Sequence, residues 1–472
     1  MSADQRRTVP LRHRLTLYGS LIGLVLGLIV ITWYLSRGGV VESDQEWTDV
    51  DFEALPEVDL LRRYIRIDTS PTTGSELAWA EFLAAELEKI GLTPTIESFG
   101  DRHANLWAIL EGESSDALVL HNHIDVFPVD DPMAWDFDPF GAEIDQAWLY
   151  GRGVFDMKSL AIVQLLAMKQ IKASGRKPTK SIIFLATGSE EVGSELGTRW
   201  ILEQHPELRD RFWAVLTEGG VVEPTSRTDI KYWGIEFGQK QFATGYLCAA
   251  TRQQLEELGQ QISIWRDDVE ELLLTPEVEV FASAYASSRD RDIYRAALED
   301  PHRAILDEPG FRQLPAYLQS QFRNEIVPFK PEPDPGGGFR MKVLFHLLPG
   351  QSLEEARYRL LPEWLLGGVS FTLGPALGAN GGSPVDHSVF TDLVAEVGIA
   401  YPDTLVGPYF LPWSATDSRF FRRSGIPAYG FSPFLVFSTD TFRVDGRNER
   451  LSLPGYMTGF ELYLHAVRRI AS

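Results

Sequence analysis

From residue 56 onward the chain alternates between two hydrophobic periods. Leu60, Leu61, Tyr64 and Ile65 recur at helical spacing, and a second helix is predicted from about Ser75 to Ile90, closed by Gly91. Asn105 to Leu110 and Ala117 to Leu120 are short apolar runs of the strand type. A long apolar helix is predicted from Met157 to Ala173, a buried strand from Ser181 to Ala186, a helix from about Ser194 to His205, and a strand from Trp213 to Leu216. Strands alternating with helices predict an α/β layered domain with a largely parallel central sheet. The middle of the chain differs. Gln253 to Ile264 is a polar helix, and Ser287 to Gln321 reads as mostly helical. The stretch PFKPEPDPGGG at 328–338 breaks the pattern before a strand-like Met341 to Leu347 and a helix from Leu353 to about Leu361. This predicts a smaller α+β lid domain, 238–375, inserted between two parts of a catalytic domain, 56–237 and 376–472. Ser452 and Pro454 cap a final helix that ends near Ile470.

Ahead of these elements, Leu15 to Leu35 contains no charged residue. At a rise of 1.5 Å per residue it would span ~31 Å, the thickness of a hydrocarbon core. A cleaved signal peptide has an apolar core of only ~7–15 residues and a small-residue cleavage site, and neither matches here. The expectation is a cytoplasmic tail at 1–14, a transmembrane anchor at 15–35 and an acidic linker at 36–55. Arg6, Arg7, Arg12 and Arg14 before the span place the N-terminus in the cytoplasm and the catalytic domain on the extracytoplasmic side of the membrane.

Charge and cysteine content narrow the chemistry. The chain has 44 Lys and Arg against 66 Asp and Glu, a net charge of -22. A surface so acidic repels phosphate backbones, which excludes nucleic acid as a partner. The single cysteine, Cys248, can form no internal disulfide and no thiolate cluster, so any metal must sit on His and carboxylates. Such residues gather beside the predicted strands. His123 and Asp125 form an H-x-D pair, whose side chains point the same way on an extended segment, so that the Asp can orient the imidazole. Asp156 lies on the loop leading into the long apolar helix, Glu190-Glu191 follows the strand at 181–186, and Glu218-Gly219-Gly220 follows the strand at 213–216. Each alone is more simply a helix-capping residue or a solvated turn. Three of the four lie just past strand ends, where open α/β sheets bind ligands.

The order and spacing of these elements, with Trp135, Pro139-Phe140-Gly141, Gly151-Arg152-Gly153, Asp156-Met157-Lys158, Thr416-Asp417-Ser418-Arg419 and Asn448-Glu449-Arg450, resemble a known family. It is the zinc-dependent exopeptidases and amidohydrolases that include aminoacylase, carboxypeptidase S, glutamate carboxypeptidase and succinyl-diaminopimelate desuccinylase. The layout is most similar to membrane-anchored, carboxypeptidase S-like members. The resemblance implies two divalent metal ions, zinc first and Mn or Co as alternatives, bridged by Asp156. His123 and Glu218 would complete one metal position, and Glu191 would serve the other. Asp125 would partner His123, and Glu190 would be the general base that activates water. Implied substrates are small peptides or N-acyl amino acids, cleaved at an amide next to a free carboxylate, with a homodimer through the inserted domain.

The sequence departs from the family in two places. Asp445 stands where a last His ligand is expected. Asp156, Glu191, Glu218 and Asp445 then bring four negative charges to two divalent ions, an oxygen-rich set that tolerates harder ions such as Mn²⁺. The lid histidine expected soon after residue 237 is also missing. Arg419, Asn324 and His346 are the substrate-binding candidates that remain. The rival reading is a catalytically weakened metal- or ligand-binding ectodomain on the same scaffold, favoured by these two departures and disfavoured by the retained His123, Asp156, Glu190 and Glu191.

Overall fold

Runs that are apolar on both faces become the inner strands of a nine-stranded sheet. Ala117 to Leu120 and Ile182 to Ala186 are fully buried, as a strand covered on both faces must be. The computed structural model describes residues 50–472, apart from 227–228, 269–271, 288–315, 378–380 and 438–439. In spatial order the sheet runs Thr95–Phe99, His103–Leu110, Lys180–Thr187, Ser114–His123, Phe212–Thr217, Ala428–Gly430, Ile230–Gln239 and Val406–Leu411, with Val221–Pro224 paired to Ile230–Gln239. Ser114–His123 is parallel to both Lys180–Thr187 and Phe212–Thr217. The edge strands Thr95–Phe99 and His103–Leu110 are antiparallel. Burying each Leu, Ile or Val of these strands contributes about 1.5–3 kcal/mol, and Leu118, Val119, Ile183 and Val215 are all fully buried.

Several elements start or stop away from their apolar runs, and the polar residues at their ends are the reason. The central strand reaches past Leu120 to His123, because His121, Asn122 and His123 are themselves buried and bonded. The apolar helix begins at Ser159, since Asp156 and Met157 have non-helical backbone angles. The next helix begins at Thr198, because Gly193 and Ser194 hold positive φ of 109° and 61°. Ser159–Ala173 packs against the C-terminal helix Leu453–Ile470, whose N-cap Ser452 accepts from Gly455 N.

A second sheet of five strands is built differently. Its order is Glu325–Pro328, Phe339–Leu347, Gln241–Ala249 and Ser370–Leu377, with Glu332–Pro333 also paired to Phe339–Leu347, and every pairing is antiparallel. Leu247, Val343, Phe345 and Ile326 face the helix residues Leu255, Leu258 and Ile262 in one buried cluster. Gln241–Ala249 follows Ile230–Gln239 with only Lys240 between them, so one residue separates the two sheets along the chain. A small third sheet pairs Arg450–Ser452 with Trp148–Tyr150, and the latter with Glu143–Asp145. Most of the expected helix at 287–321 lies outside the described residues, of which Ala316–Ser320 is helical.

The single-pass membrane placement expected from the N-terminal pattern is corrected here. No helix among the described residues is long and apolar enough to cross a membrane. Ser159–Ala173, with 15 residues, would span only ~22 Å, and its apolar side chains are buried within the protein. The segment 15–35 on which the expectation rested lies outside the described residues.

Candidate metal centre and its surroundings

His123 ends the central strand, Glu218 follows the neighbouring strand Phe212–Thr217, and Asp156 sits in the irregular segment Val154–Lys158. Their ligand atoms all lie within 4.8 Å of one another. His123 Nε2 is 2.9 Å from Asp156 Oδ1 and 3.6 Å from Glu218 Oε2. Burial alone would lower the His123 pKa, but Glu218 and Asp156 override it and hold the ring well above its ordinary value. Burial raises Glu218 strongly, and the Asp156 carboxylate adds to that rise.

Asp125 acts differently from the sequence expectation. His123 Nδ1 lies 2.8 Å from the Asp125 backbone oxygen, whereas the carboxylate Oδ1 is 3.7 Å away. The carboxylate instead accepts the backbone N–H groups of Glu190 and Glu191, each at 2.9 Å. One residue therefore orients the imidazole through its main chain and holds the Glu190–Val192 turn through its side chain.

Glu190 is joined to Arg419, whose Nη1 is 3.4 Å from Glu190 Oε1 and also donates to Thr416 O at 2.9 Å. Arg419 Nη2 is 3.6 Å from Asp417 Oδ1, and the side chain is almost wholly buried. These contacts occupy Arg419 with the proposed base. Burial pushes Glu190 up to about 7, with Arg419 opposing the rise and Asp417 adding to it.

The remaining ligand candidates come from far apart in the chain. The pairing of Arg450–Ser452 with Trp148–Tyr150 brings the turn containing Asp445 beside the Asp156 loop. Arg152 and Glu449 lock that junction. Glu449 is fully buried and accepts from Arg152 Nη1 at 2.7 Å, Gly153 N at 3.0 Å, Phe155 N at 2.8 Å and Asp156 N at 3.2 Å. Arg152 Nη2 donates in turn to Asp445 O at 2.9 Å. Asp445 and Glu191 fall outside the 4.8 Å cluster, yet both feel the Asp156 charge. Burial first and Asp156 second push Glu191 up to about 11 and Asp445 up to about 8.

Among the described residues, Glu191 Oε1 and Asp445 Oδ1 are buried without a hydrogen-bond partner. Orphaned acceptors of this kind cost about 1–3 kcal/mol or more each, and either a proton or a cation would satisfy them. The donor set of one imidazole and four carboxylates fits divalent metal ions.

Asn324 and His346 are placed in and beside the five-stranded sheet. Asn324 Oδ1 accepts Leu348 N at 2.8 Å, and His346 stands opposite Phe242 and Glu325 in the five-stranded sheet. Burial, reinforced by Lys240 and opposed by Glu325, brings the His346 pKa down to about 4.

A model of the family described as peptidase family M20/M25/M40 matches residues 119–469. The chain belongs to this family. Rat aminoacylase-1A is 25% identical to this M20 chain over 442 residues, covering 88% of this chain and 96% of that protein. Succinyl-diaminopimelate desuccinylase of Methylocella silvestris is 33% identical over 159 residues, covering 33% of this chain and 40% of that protein. Among solved structures, the M20 family metallo-carboxypeptidase Sso-CP2 from Sulfolobus solfataricus shares the fold with a TM-score of 0.65 at 18% identity, covering 88% of this chain and 99% of that one. Human carnosine dipeptidase 1 follows at 0.63 and 14%, covering 88% and 96%. This M20 protein is a metallopeptidase-type enzyme, and metal-dependent amide hydrolysis is its general activity. Glu449 and Arg152 were visible in the sequence only as matched motif letters. Their role depends on a contact across 297 residues that no local pattern encodes.

Proposed function

We infer that the protein hydrolyses the amide bond of N-acyl amino acids or small peptides next to a free carboxylate, with Glu190 as general base. The observation that carries this reading is the convergence of His123, Asp156 and Glu218 at the strand ends, beside a half-buried Glu190 held by Arg419. His123, Asp156 and Glu218 would hold one divalent ion, and Asp156, Glu191 and Asp445 a second. When bound, such ions supply Lewis acidity, lowering the pKa of water and polarising a carbonyl.

The protein's own residues do the rest. Asp125 fixes the turn so that Glu190 and Glu191 leave it in set directions. Glu190 takes a proton from the attacking water at a carboxylate oxygen and returns it to the leaving nitrogen. Arg419 holds that carboxylate from the other side. Such proton transfer contributes ~10²–10⁴ in rate. Phe127, Val192 and Phe442 stand exposed on the loops that carry the site, which favours a substrate with an apolar acyl group or side chain.

The test is turnover of N-acetyl and longer N-acyl amino acids, their C-terminal amides and a set of dipeptides, with and without added Zn²⁺ or Mn²⁺. Metal-dependent cleavage of the acids, with the amides at least ~10-fold slower, is expected. Equal rates on acids and amides would remove the free-carboxylate requirement.

A further inference from the structure

Four consecutive main-chain amides anchor the loop that carries Glu190 and Glu191, and each is received by a side chain. Gly188 N donates to Asn105 Oδ1 at 3.0 Å and Ser189 N to Glu76 Oε1 at 3.1 Å. Glu190 N and Glu191 N donate to the two oxygens of Asp125. The three acceptors come from three elements: the first residue of helix Glu76–Lys89, strand His103–Leu110 and the segment after strand Ser114–His123. All three are buried. Asn105 also donates to Leu196 O at 2.8 Å, tying the downstream end of the same loop.

Glu76 is the least expected of the three. As the first residue of an amphipathic helix it would ordinarily stand in water, where a carboxylate favours the helix dipole at little cost. Instead it is 3% exposed, and a buried carboxylate is costly unless its oxygens are met by donors. Its donors are Ala104 N at 3.1 Å and Ser189 N, with His103 Nδ1 3.2 Å from Oε2. Ser189 takes a left-handed backbone, φ 65°, at the point where the chain leaves the strand and turns into Glu190–Val192. Gly188 has no room for a side chain, because a Cβ there would collide with Glu76 Oε2.

We propose that Glu76 is a positioning residue for the catalytic loop: by receiving Ser189 N it fixes the turn from which Glu190 and Glu191 project. The proposal rests on the reading of Glu190 as base. Glu76 makes its contacts with the loop's main chain and with Ala104 and His103, so its loss acts through the placement of Glu190 and Glu191 and removes no group set against substrate.

The experiment compares the full-length wild type with Glu76→Ala, Glu76→Gln, Gly188→Ala and the double variant Glu76→Ala/Gly188→Ala. It reads melting temperature, amide hydrogen exchange at 188–191, and kcat and KM for N-acyl amino acid hydrolysis. Glu76→Ala is expected to lower kcat about 10–100-fold, since a displacement near 1 Å can cost that much, with KM within about twofold. Exchange at Ser189 to Glu191 should accelerate while strand Lys180–Thr187 stays protected. Glu76→Gln keeps one acceptor oxygen for Ser189 N, sets its amide nitrogen against Ala104 N, and should recover part of kcat. Gly188→Ala, pushing the same contact apart from the loop side, should repeat the Glu76→Ala behaviour, and the double variant should lose no more than either single change.

The proposal is overturned if folded Glu76→Ala or Gly188→Ala keeps kcat within about threefold of wild type, or if KM changes in place of kcat. It is equally overturned if Glu76→Gln is no better than Glu76→Ala. Should Glu76→Ala fail to fold, Gly188→Ala decides by the same criteria, and its failure to fold as well would make the contact one of general stability and overturn the proposal. Absence of metal-dependent hydrolysis in the wild type would instead count against the reading of Glu190. Exchange at 188–191 would then decide the Glu76 contact, with unchanged exchange refuting it.

Discussion

The strand ends of the nine-stranded sheet and the residues at the start of strands Gln241–Ala249 and Glu325–Pro328 both withdraw polar side chains from water, and they treat them in opposite ways. Beside the five-stranded sheet the charges are matched locally. Lys240 is 3.0 Å from Glu325, Glu325 is 3.3 Å from Arg323, and Asn324 is spent on Leu348 N. At the strand ends, carboxylates face carboxylates. Asp156 raises the pKa of Glu191, Glu218 and Asp445, His123 offsets part of that rise, and among the described residues Glu191 Oε1 and Asp445 Oδ1 have no hydrogen-bond partner. A buried ion pair balances its own charge, whereas a half-buried group of like charges needs cations or shared protons to offset its repulsion. The contrast separates framework from chemistry better than burial does.

Four substitutions test that contrast. The largest effect is expected from Asp156→Ala, which removes the carboxylate common to both proposed metal positions. Turnover should fall to background and bound metal per chain should drop, read by elemental analysis of protein whose circular dichroism is unchanged. Full metal content in this variant would contradict the assignment. Glu449→Gln comes next. It weakens the buried partner of Arg152 while the loop remains, and changes to groups that support metal ligands typically cost ~10–100-fold in affinity. A calorimetric titration with Mn²⁺ or Zn²⁺ reads this directly, and wild-type affinity would reduce Glu449 to a packing role. Asp445→His should leave turnover measurable and shift metal preference toward zinc, since imidazole replaces a hard oxygen donor. Competition between Zn²⁺ and Mn²⁺ measures the shift, and an unchanged ratio would remove Asp445 from the ligand set.

The smallest effect on activity is expected at His346, in the framework sheet. His346→Gln should leave kcat at pH 7 nearly unchanged while altering acid stability. The native ring titrates at about 4 against about 6.5 in the unfolded chain. Its contribution to stability is therefore complete above pH ~6.5 and is lost as pH falls through that value toward 4, about 3 kcal/mol in all. Burial is the main cause of this value, with Lys240 lowering it further and Glu325 opposing. Urea melts between pH 7 and 4 should show a shallower loss in His346→Gln than in wild type. Parallel curves would refute the assignment, and a large fall in kcat at pH 7 would move His346 from framework to site.

The elements that bury apolar residues at a regular period were legible in the sequence. The strands around Ala117 to Leu120 and Ser181 to Ala186 and the helix from Leu453 to Ile470 all follow from it. The ends of elements were not, because polar residues decide them. His121 to His123 continue a strand that hydropathy ends at Leu120, and Gly193 and Ser194 delay a helix by taking positive φ. The identity of the site residues was legible through spacing just past the strands. Their connections were not. Asp125 serves the loop amides of Glu190 and Glu191, Arg419 serves Glu190, and Glu449 serves Asp156. Each of these contacts joins residues 65 or more positions apart, and only the folded chain brings them together. The N-terminal apolar stretch taught the opposite lesson: a strong local pattern lay outside the described residues, and the placement drawn from it was not supported.

The central claim is that Glu190 is a base beside a metal centre it does not itself form. The most direct measurement is Glu190→Gln, with metal content and hydrolysis of an N-acyl amino acid determined on the same preparation. The account predicts wild-type metal per chain, unchanged folding, and kcat reduced ~10²–10⁴-fold. Turnover equal to wild type with metal fully bound would contradict it.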